Sequence, residues 1–254
     1  MTSKRILSIH AHPDDAEILA GGTLALLAAA GHAVTIVSMT PGDCGSAEYS
    51  AEEISAIRRG EAAAAAKLIG AEYVCAEFRD LAIFNDDPSR RRVTELLRTL
   101  RPDLVLTSAE ADYLCDHEMT SILVRDACFA APAPNYTTGG KAVVLEHLPH
   151  LYYMDPIGGH DRNGYYVQPD FAVDVSAVLE LKKQMLASHA SQRNWLLRQH
   201  GMDNYIEQMV TWTRACGMRF GLLGAEGFRQ YRGHPYPTSP LLQELLGDDL
   251  IRRG

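Results

Sequence analysis

Residues 5–17 read Arg5-Ile6-Leu7-Ser8-Ile9-His10-Ala11-His12-Pro13-Asp14-Asp15-Ala16-Glu17. The apolar run 5–9 has the length of a strand, and a helical pattern follows at about 16–30. A strand that passes through a short turn into a helix is the first half of a βαβ unit. The alternation continues with expected strands at 34–39 (VTIVSM), 73–77 (YVCAE), 103–108 (DLVLTS) and 151–154 (LYYM). Helices are expected between them at 51–69, 89–100 and 117–130, the first of these enriched by Ala62 to Ala66. Gly31 and Gly70 stand where a C′ glycine would end a helix. The pattern predicts an α/β fold with a Rossmann-like, doubly wound, mostly parallel sheet in the order 3-2-1-4-5.

That core is expected to occupy about 1–155, with a helical and loop elaboration over about 156–254, all within one domain. In the elaboration, 176–199 and 203–216 carry helical patterns, and Gly233-His234-Pro235-Tyr236-Pro237 reads as a constrained loop.

A dinucleotide-binding fold would place G-x-G-x-x-G after the first strand. The turn here is His10-Ala11-His12-Pro13-Asp14-Asp15, with no glycine to admit a pyrophosphate. A nucleotide-binding module is therefore disfavoured. What the turn offers instead is a metal site. His12 and Asp15 are three residues apart at the carboxyl edge of the sheet, where open α/β sheets bind ligands, and Pro13 restricts the backbone between them. Imidazole and carboxylate together suit zinc and other divalent first-row ions. The fourth strand is expected beside the first, so the loop after it, Asp112-Tyr113-Leu114-Cys115-Asp116-His117, offers His117 as a third ligand from the opposite wall. Asp14 then neighbours a ligand and can act as the base that takes a proton from water. Asp116 either orients His117 or a neighbouring group, or caps the following helix.

These residues carry a resemblance. Ala11-His12-Pro13-Asp14-Asp15, then Glu17 and Gly21-Gly22-Thr23, is similar to the A-H-P-D-D-x-E-x-x-x-G-G signature of the PIG-L/LmbE-like deacetylases. The resemblance spans about residues 5–130, with an echo in Lys183 through His189-Ala190-Ser191-Gln192. It implies a zinc-dependent N-deacetylase acting on small acetylated amino sugars or their conjugates. His12, Asp15 and His117 would be the metal ligands and Asp14 the general base. Fe²⁺ or another divalent ion is an alternative to Zn²⁺. Arg58 and Glu61 fit the family's R-x-x-E helix, whose arginine contacts substrate, and Asp80 fits an aspartate that binds sugar hydroxyls. The alternative to these two roles is an exposed helix charge and a turn former. A homo-oligomer is also implied, a hexamer among its forms.

One departure stands out. The family's second motif is H-x-D-H, and its first histidine is replaced here by Leu114, which neither donates a proton nor polarises a carbonyl. His234 or Tyr113 is expected to substitute as the acid, unless the metal carries the oxyanion alone. This leaves two rivals: an amidase or deacylase on a non-sugar substrate, and a metal-binding protein without turnover. His160, in Gly158-Gly159-His160-Asp161, is open between pocket and scaffold. His10, His32, His147, His150, His189 and His200 are read as surface or core residues.

Composition agrees with this class. A net charge of −8 argues against nucleic acid as a partner. No apolar stretch nears the ~18 residues of a membrane span. Five dispersed cysteines form neither a zinc ribbon nor C-x-x-C and suggest reduced thiols, so a cytoplasmic location is expected.

Overall fold

The computed structural model describes residues 2–200 and 204–253, without the side chains of 199 and 200. In chain order it contains β1 (Arg5–His10), α1 (Asp15–Ala29), β2 (Ala33–Ser38), α2 (Ala51–Lys67), β3 (Glu72–Cys75), α3 (Asp87–Leu100), β4 (Leu104–Thr107), α4 (Cys115–Ala130) and β5 (His150–Met154). There follow β6 (Phe171–Asp174), α5 (Leu179–Ala187), α6 (Ala190–His200), α7 (Tyr205–Arg219), β7 (Ala225–Gln230), α8 (Leu241–Leu246) and β8 (Ile251–Arg253). One mixed sheet has the order β3-β2-β1-β4-β5-β7-β6-β8. Its first five strands are parallel and follow the expected 3-2-1-4-5. None of the described helices is long and apolar enough to cross a membrane.

Strand alternation sends neighbours to opposite faces. Leu7 and Ile9 of β1 join Val37, Val105, Val93, Leu97 and Val124 in one core layer, under α3 and α4. Ile6 joins Leu24, Leu27, Ile36, Leu104, Phe171 and Phe228 in the other, under α1. Such near-continuous apolar strands are what a sheet covered on both faces requires.

The last third departs from the helical and loop elaboration that its sequence suggested. It adds β6, β7 and β8 to the same sheet, all antiparallel to their neighbours. Strands of three or four residues give little periodicity to read. β7 also carries Glu226, Gly227 and Arg229, an unusual content for a strand paired on both sides. The expected helix 176–199 is broken after Ala187, where Glu61 of α2 accepts the N–H of Ser191 at 2.9 Å and starts α6 afresh. Asp203, the first residue of the expected helix 203–216, lies outside the described residues, and α7 begins at Tyr205. The side chain of His200 lies outside them too.

The antiparallel run of β7 also corrects the expectation for His234. Gln230 pairs with Tyr152, and Tyr231 N–H bonds Leu151 O at 2.9 Å, so the chain leaves β7 at the amino edge of the parallel strands. His234 is exposed there, across the sheet from residues 12–17.

A buried ion pair ties the added strands to the core. Lys182 Nζ of α5 donates to Glu226 Oε1 at 2.7 Å and to Thr213 Oγ1 of α7 at 3.0 Å. The same carboxylate accepts the N–H groups of Gly22 and Thr23 in α1, each at 2.8 Å. Gly22 is required by closeness, since a Cβ there would stand 2.6 Å from Val175. This contact gives the Gly21-Gly22-Thr23 stretch a structural purpose.

Removing one member of this group should be severe, because the other charge remains buried. Glu226→Ala is expected to lower folding stability by about 3–5 kcal/mol, measured by urea unfolding. A loss under about 1 kcal/mol, the range of a surface pair, would contradict this account of how α1, α5, α7 and β7 are held together.

Candidate metal centre

β1 and β4 lie side by side in parallel, Ile9 opposite Thr107, so the segments that follow them face one crevice. From the first comes the turn of His12 to Asp15, closed by the His12 N–H on Asp15 Oδ2 at 2.9 Å. From the second comes the start of α4. The Asp15 carboxylate lies between the two: Oδ2 is 3.6 Å from His12 Nδ1 and Oδ1 is 3.5 Å from His117 Nε2. The imidazole centroids are 5.4 Å apart, and one donor atom from each of His12, Asp15 and His117 lies within 4.8 Å of the others.

The far side of each imidazole is also held. His12 Nε2 meets Asp116 Oδ2 at 3.1 Å, and that oxygen also accepts the N–H of Leu81 at 2.7 Å. His117 Nδ1 lies 3.2 Å from Asp112 Oδ1, while Asp112 Oδ2 accepts the N–H of Ile157 at 3.2 Å. Asp116 thus touches His12 rather than His117. Nor is it a helix cap: α4 starts at Cys115, two residues earlier than expected, with Leu114 as its N-cap. Asp112 is the partner that sequence reading passed over. Its only signal was an acid in the same short loop.

Burial discourages charge on every group here, and the pairing reverses that effect. His12 loses by desolvation, but hydrogen bonds to Asp116 and Asp15 outweigh it and raise its pKa to about 9. His117 is likewise raised well above the ordinary histidine value, against burial, by Asp15 and Asp112. Burial would push Asp15 up, yet the two imidazoles hold it well below the usual carboxylate range. The donor set fits a divalent ion on this chemistry: two imidazoles and a carboxylate converge, and each imidazole has its outer nitrogen on a second carboxylate, as metal-binding histidines commonly do.

Asp14 stands beside this cluster with a φ of 101°, an uncommon backbone for a residue with a side chain. Its Oδ2 accepts the hydroxyl of Tyr205 from α7, and its Oδ1 is 3.8 Å from Arg58 Nη2. Burial raises the Asp14 pKa, with Arg58 opposing and Asp15 adding to the rise. Arg58 is only 3% exposed and donates to Pro13 O at 2.8 Å, so it is no surface helix charge. It crosses beneath Gly42, whose φ is 78° and whose missing Cβ would lie 2.2 Å from Arg58 Nη1. Asp80 accepts Thr40 Oγ1 at 2.5 Å and Cys44 N–H at 2.9 Å, and lies 3.9 Å from His12 Nε2. Tyr205 is 191 residues from Asp14, and nothing local in the sequence marks it.

These groups open into a cavity of about 670 Å³. It is lined by all the expected site residues except His234, and also by Tyr113, Leu114 and His160. The Tyr113 ring stands edge-on to His117 at 5.5 Å. His160 Nδ1 contacts Gly158 O at 2.8 Å, leaving Nε2 as its free ring nitrogen. Trp195 of α6 and Trp212 of α7 form part of the far wall.

Residues 7–128 match the PIG-L family, described as GlcNAc-PI de-N-acetylase. The chain is similar to 4-oxalmesaconate hydratase of Pseudomonas putida, 28% identical over 199 residues, 75% of this chain and 75% of that protein. It is similar to the same degree, 28% over 195 residues, to diacetylchitobiose deacetylase of Thermococcus kodakarensis, covering 74% of this chain and 70% of that protein. Among solved structures, N,N'-diacetylchitobiose deacetylase of Pyrococcus horikoshii, complexed with an inhibitor, superposes with a TM-score of 0.76 at 25% identity, covering 94% of this chain and 89% of that one.

The electrostatics of the metal-free chain lead to a pH effect of definite sign. A histidine whose folded pKa is raised from 6.5 to about 9 contributes stability that is full below 6.5 and is lost as pH rises through about 9. Chelated protein should therefore melt at progressively lower temperature from pH 6.5 to 9, and the His12 ring proton signal should titrate near 9. A midpoint at or below 6.5 would contradict the carboxylate pairing described.

Proposed function

We propose that this chain, whose residues 7–128 match the PIG-L family, is a zinc-dependent hydrolase that removes an N-acetyl group from a small acetylated amino sugar or sugar conjugate. The observation that carries the proposal is the convergence of His12, Asp15 and His117 with Asp14 alongside. In this reading His12, Asp15 and His117 hold the ion. When bound, it supplies Lewis acidity for the acetamide carbonyl and lowers the pKa of water to about 7.

The remaining work falls to the chain itself. Asp14 accepts the proton of the attacking water, and its raised pKa suits it to do so. Tyr205 occupies Oδ2, which assigns Oδ1 to that proton. Arg58 keeps the carboxylate from drifting toward its neutral form. Asp116 positions His12 and Asp112 positions His117. As the C–N bond breaks, its electron pair goes to nitrogen, and the proton gathered by Asp14 is returned there. Leu114 takes no part in this, and Tyr113, His160 and Cys44 are among the other side chains with a transferable proton that line the cavity. Asp80, fixed by Thr40 and Cys44, offers its remaining lone pairs to a sugar hydroxyl.

The similarity to a hydratase raises a second reading, addition of water to an unsaturated carboxylated acid. Among the described residues that line the cavity, Arg58 is the one Lys or Arg side chain, and it is engaged with Pro13 and Asp14. A site built for a polyanion would present free guanidinium or ammonium groups. A neutral acetamide is the better match.

Asp14→Asn is expected to keep the metal and lower turnover by about 10²–10⁴-fold, whereas Asp15→Ala loses the metal as well. The check is elemental analysis of both variants beside acetate release from N-acetylglucosamine derivatives. Undiminished turnover in Asp14→Asn would remove the assignment of the base, and metal uptake without acetate release across the panel would favour a binding protein.

A further inference from the structure

We propose that the cavity beyond the metal cluster is a subsite for an uncharged, apolar arm of the substrate, gripped between Trp195, Leu196 and Trp212. The inference rests on the deacetylase reading above and specifies its substrate class: an acetamide or related amide that carries an aryl or aliphatic group, rather than a bare amino sugar.

The distribution of charge in the cavity leads to this. Its acids, its one arginine and two of its three histidines stand at the metal end, apart from His160 and Asp161 on the segment after β5. Asp161 is committed to its own loop, Oδ1 accepting the N–H groups of Asn163 at 2.8 Å and Tyr165 at 2.9 Å. The wall supplied by α6 and α7 carries amides, a phenol already bound to Asp14 and apolar side chains, with no ionised group among the described residues that line it. Such a wall neither attracts an anion nor offers a polyhydroxy ligand many partners.

Two further features bear on this cavity. Trp212 packs against Gly158, whose φ of 69° favours glycine and where a Cβ would meet Trp212 Nε1 at an ordinary contact distance of 3.4 Å. On the metal side of the cavity Leu81 has a φ of 60°, a backbone that a bulky side chain rarely adopts, and is 62% exposed. Its N–H is fixed on Asp116, so the rim leucine is set in place by the same carboxylate that orients His12. Tyr113, 66% exposed, stands on the cavity lining as well. Exposed apolar groups at the mouth of an apolar-walled cavity mark a surface that a ligand covers.

Trp195 and Trp212 are the only tryptophans in the chain, so intrinsic emission reports on this subsite. Titrating the zinc-loaded protein with phenyl β-glucoside, which has no acetamide to cleave, should give a saturable emission change. In the same preparation, kcat/KM for acetate release should be about tenfold or more higher for phenyl N-acetyl-β-glucosaminide than for N-acetylglucosamine. A parallel comparison of N-octanoylglucosamine with N-acetylglucosamine, read as free glucosamine, tells whether the arm sits on the amine or the acyl side. A preference on either side supports the proposal. Trp195→Ala should abolish the preference and Trp195→Phe, which keeps a ring, should retain it. Saturable emission with no amide cleaved upholds the subsite while removing the deacetylase reading. Acetate release with equal kcat/KM for armed and unarmed substrates, together with flat emission, overturns the subsite.

Discussion

The Asp15 carboxylate is buried, and the crevice is organised around keeping its charge satisfied. An isolated ionised group in that position would be very costly, and it is retained because two imidazoles and a main-chain N–H face it. Those imidazoles would in turn be poor partners if their other nitrogens were unmet, and Asp112 and Asp116 meet them. The chain of pairing fixes the path of the β1–α1 turn and the first turn of α4 together. It also sets Asp14 in its unusual backbone conformation, since Asp14 lies between a turn closed on His12 and the first residue of α1. Strain of that kind persists where surroundings over-determine it, as they do here through Arg58 and Tyr205.

The same logic extends to the last third of the chain. Tyr205 and Met209 of α7 share a small apolar cluster with Ile18 of α1, close to Asp14, and α7 is tied to α5 and β7 through Thr213 by Lys182 and Glu226. Glu226 also bonds the α1 backbone. A buried lysine and glutamate thus connect the antiparallel extension of the sheet to the helix whose first turn carries the cluster. They also fix where Trp212 stands, and hence the far wall of the cavity.

How much of this was legible beforehand follows from the range of each interaction. The five parallel strands and their order were readable because each alternates with a helix of its own, and β–α–β winding leaves few topologies. His12, Asp15 and His117 were readable because strand order alone brings the loops after β1 and β4 together. Asp116 was placed in the crevice by sequence, but its partner depends on side-chain direction in the first turn of α4, which no spacing encodes. His234 was sought on the crevice because a vacancy at Leu114 asked for a histidine. The reversal of direction at β7, which sends it to the opposite edge, could not be seen while β7 itself was hidden by Glu226 and Arg229. Tyr205, Trp195 and Trp212 come from helices whose own patterns say nothing of which face meets residues 12–15.

Overall similarity does not separate the two chemistries associated with this fold, since the chain is 28% identical to a hydratase and 28% identical to a deacetylase. The lining residues favour one of them. A hydratase reading must bind a carboxylated substrate, and each carboxylate brought into a cavity of this kind needs a counter-charge to offset its desolvation. Beside the metal centre itself, Arg58 is the one Lys or Arg side chain among the described residues that line the cavity, and withdrawing it would leave Asp14 without the cation that opposes its burial. An acetamide brings no charge at all. Its carbonyl needs one electrophile, its nitrogen needs one proton, and the rest of the molecule needs a neutral surface to lie against. The groups around His12, Asp14 and the α6–α7 wall are of those three kinds, which is why the amide reading is consistent with the charges that the cavity already holds.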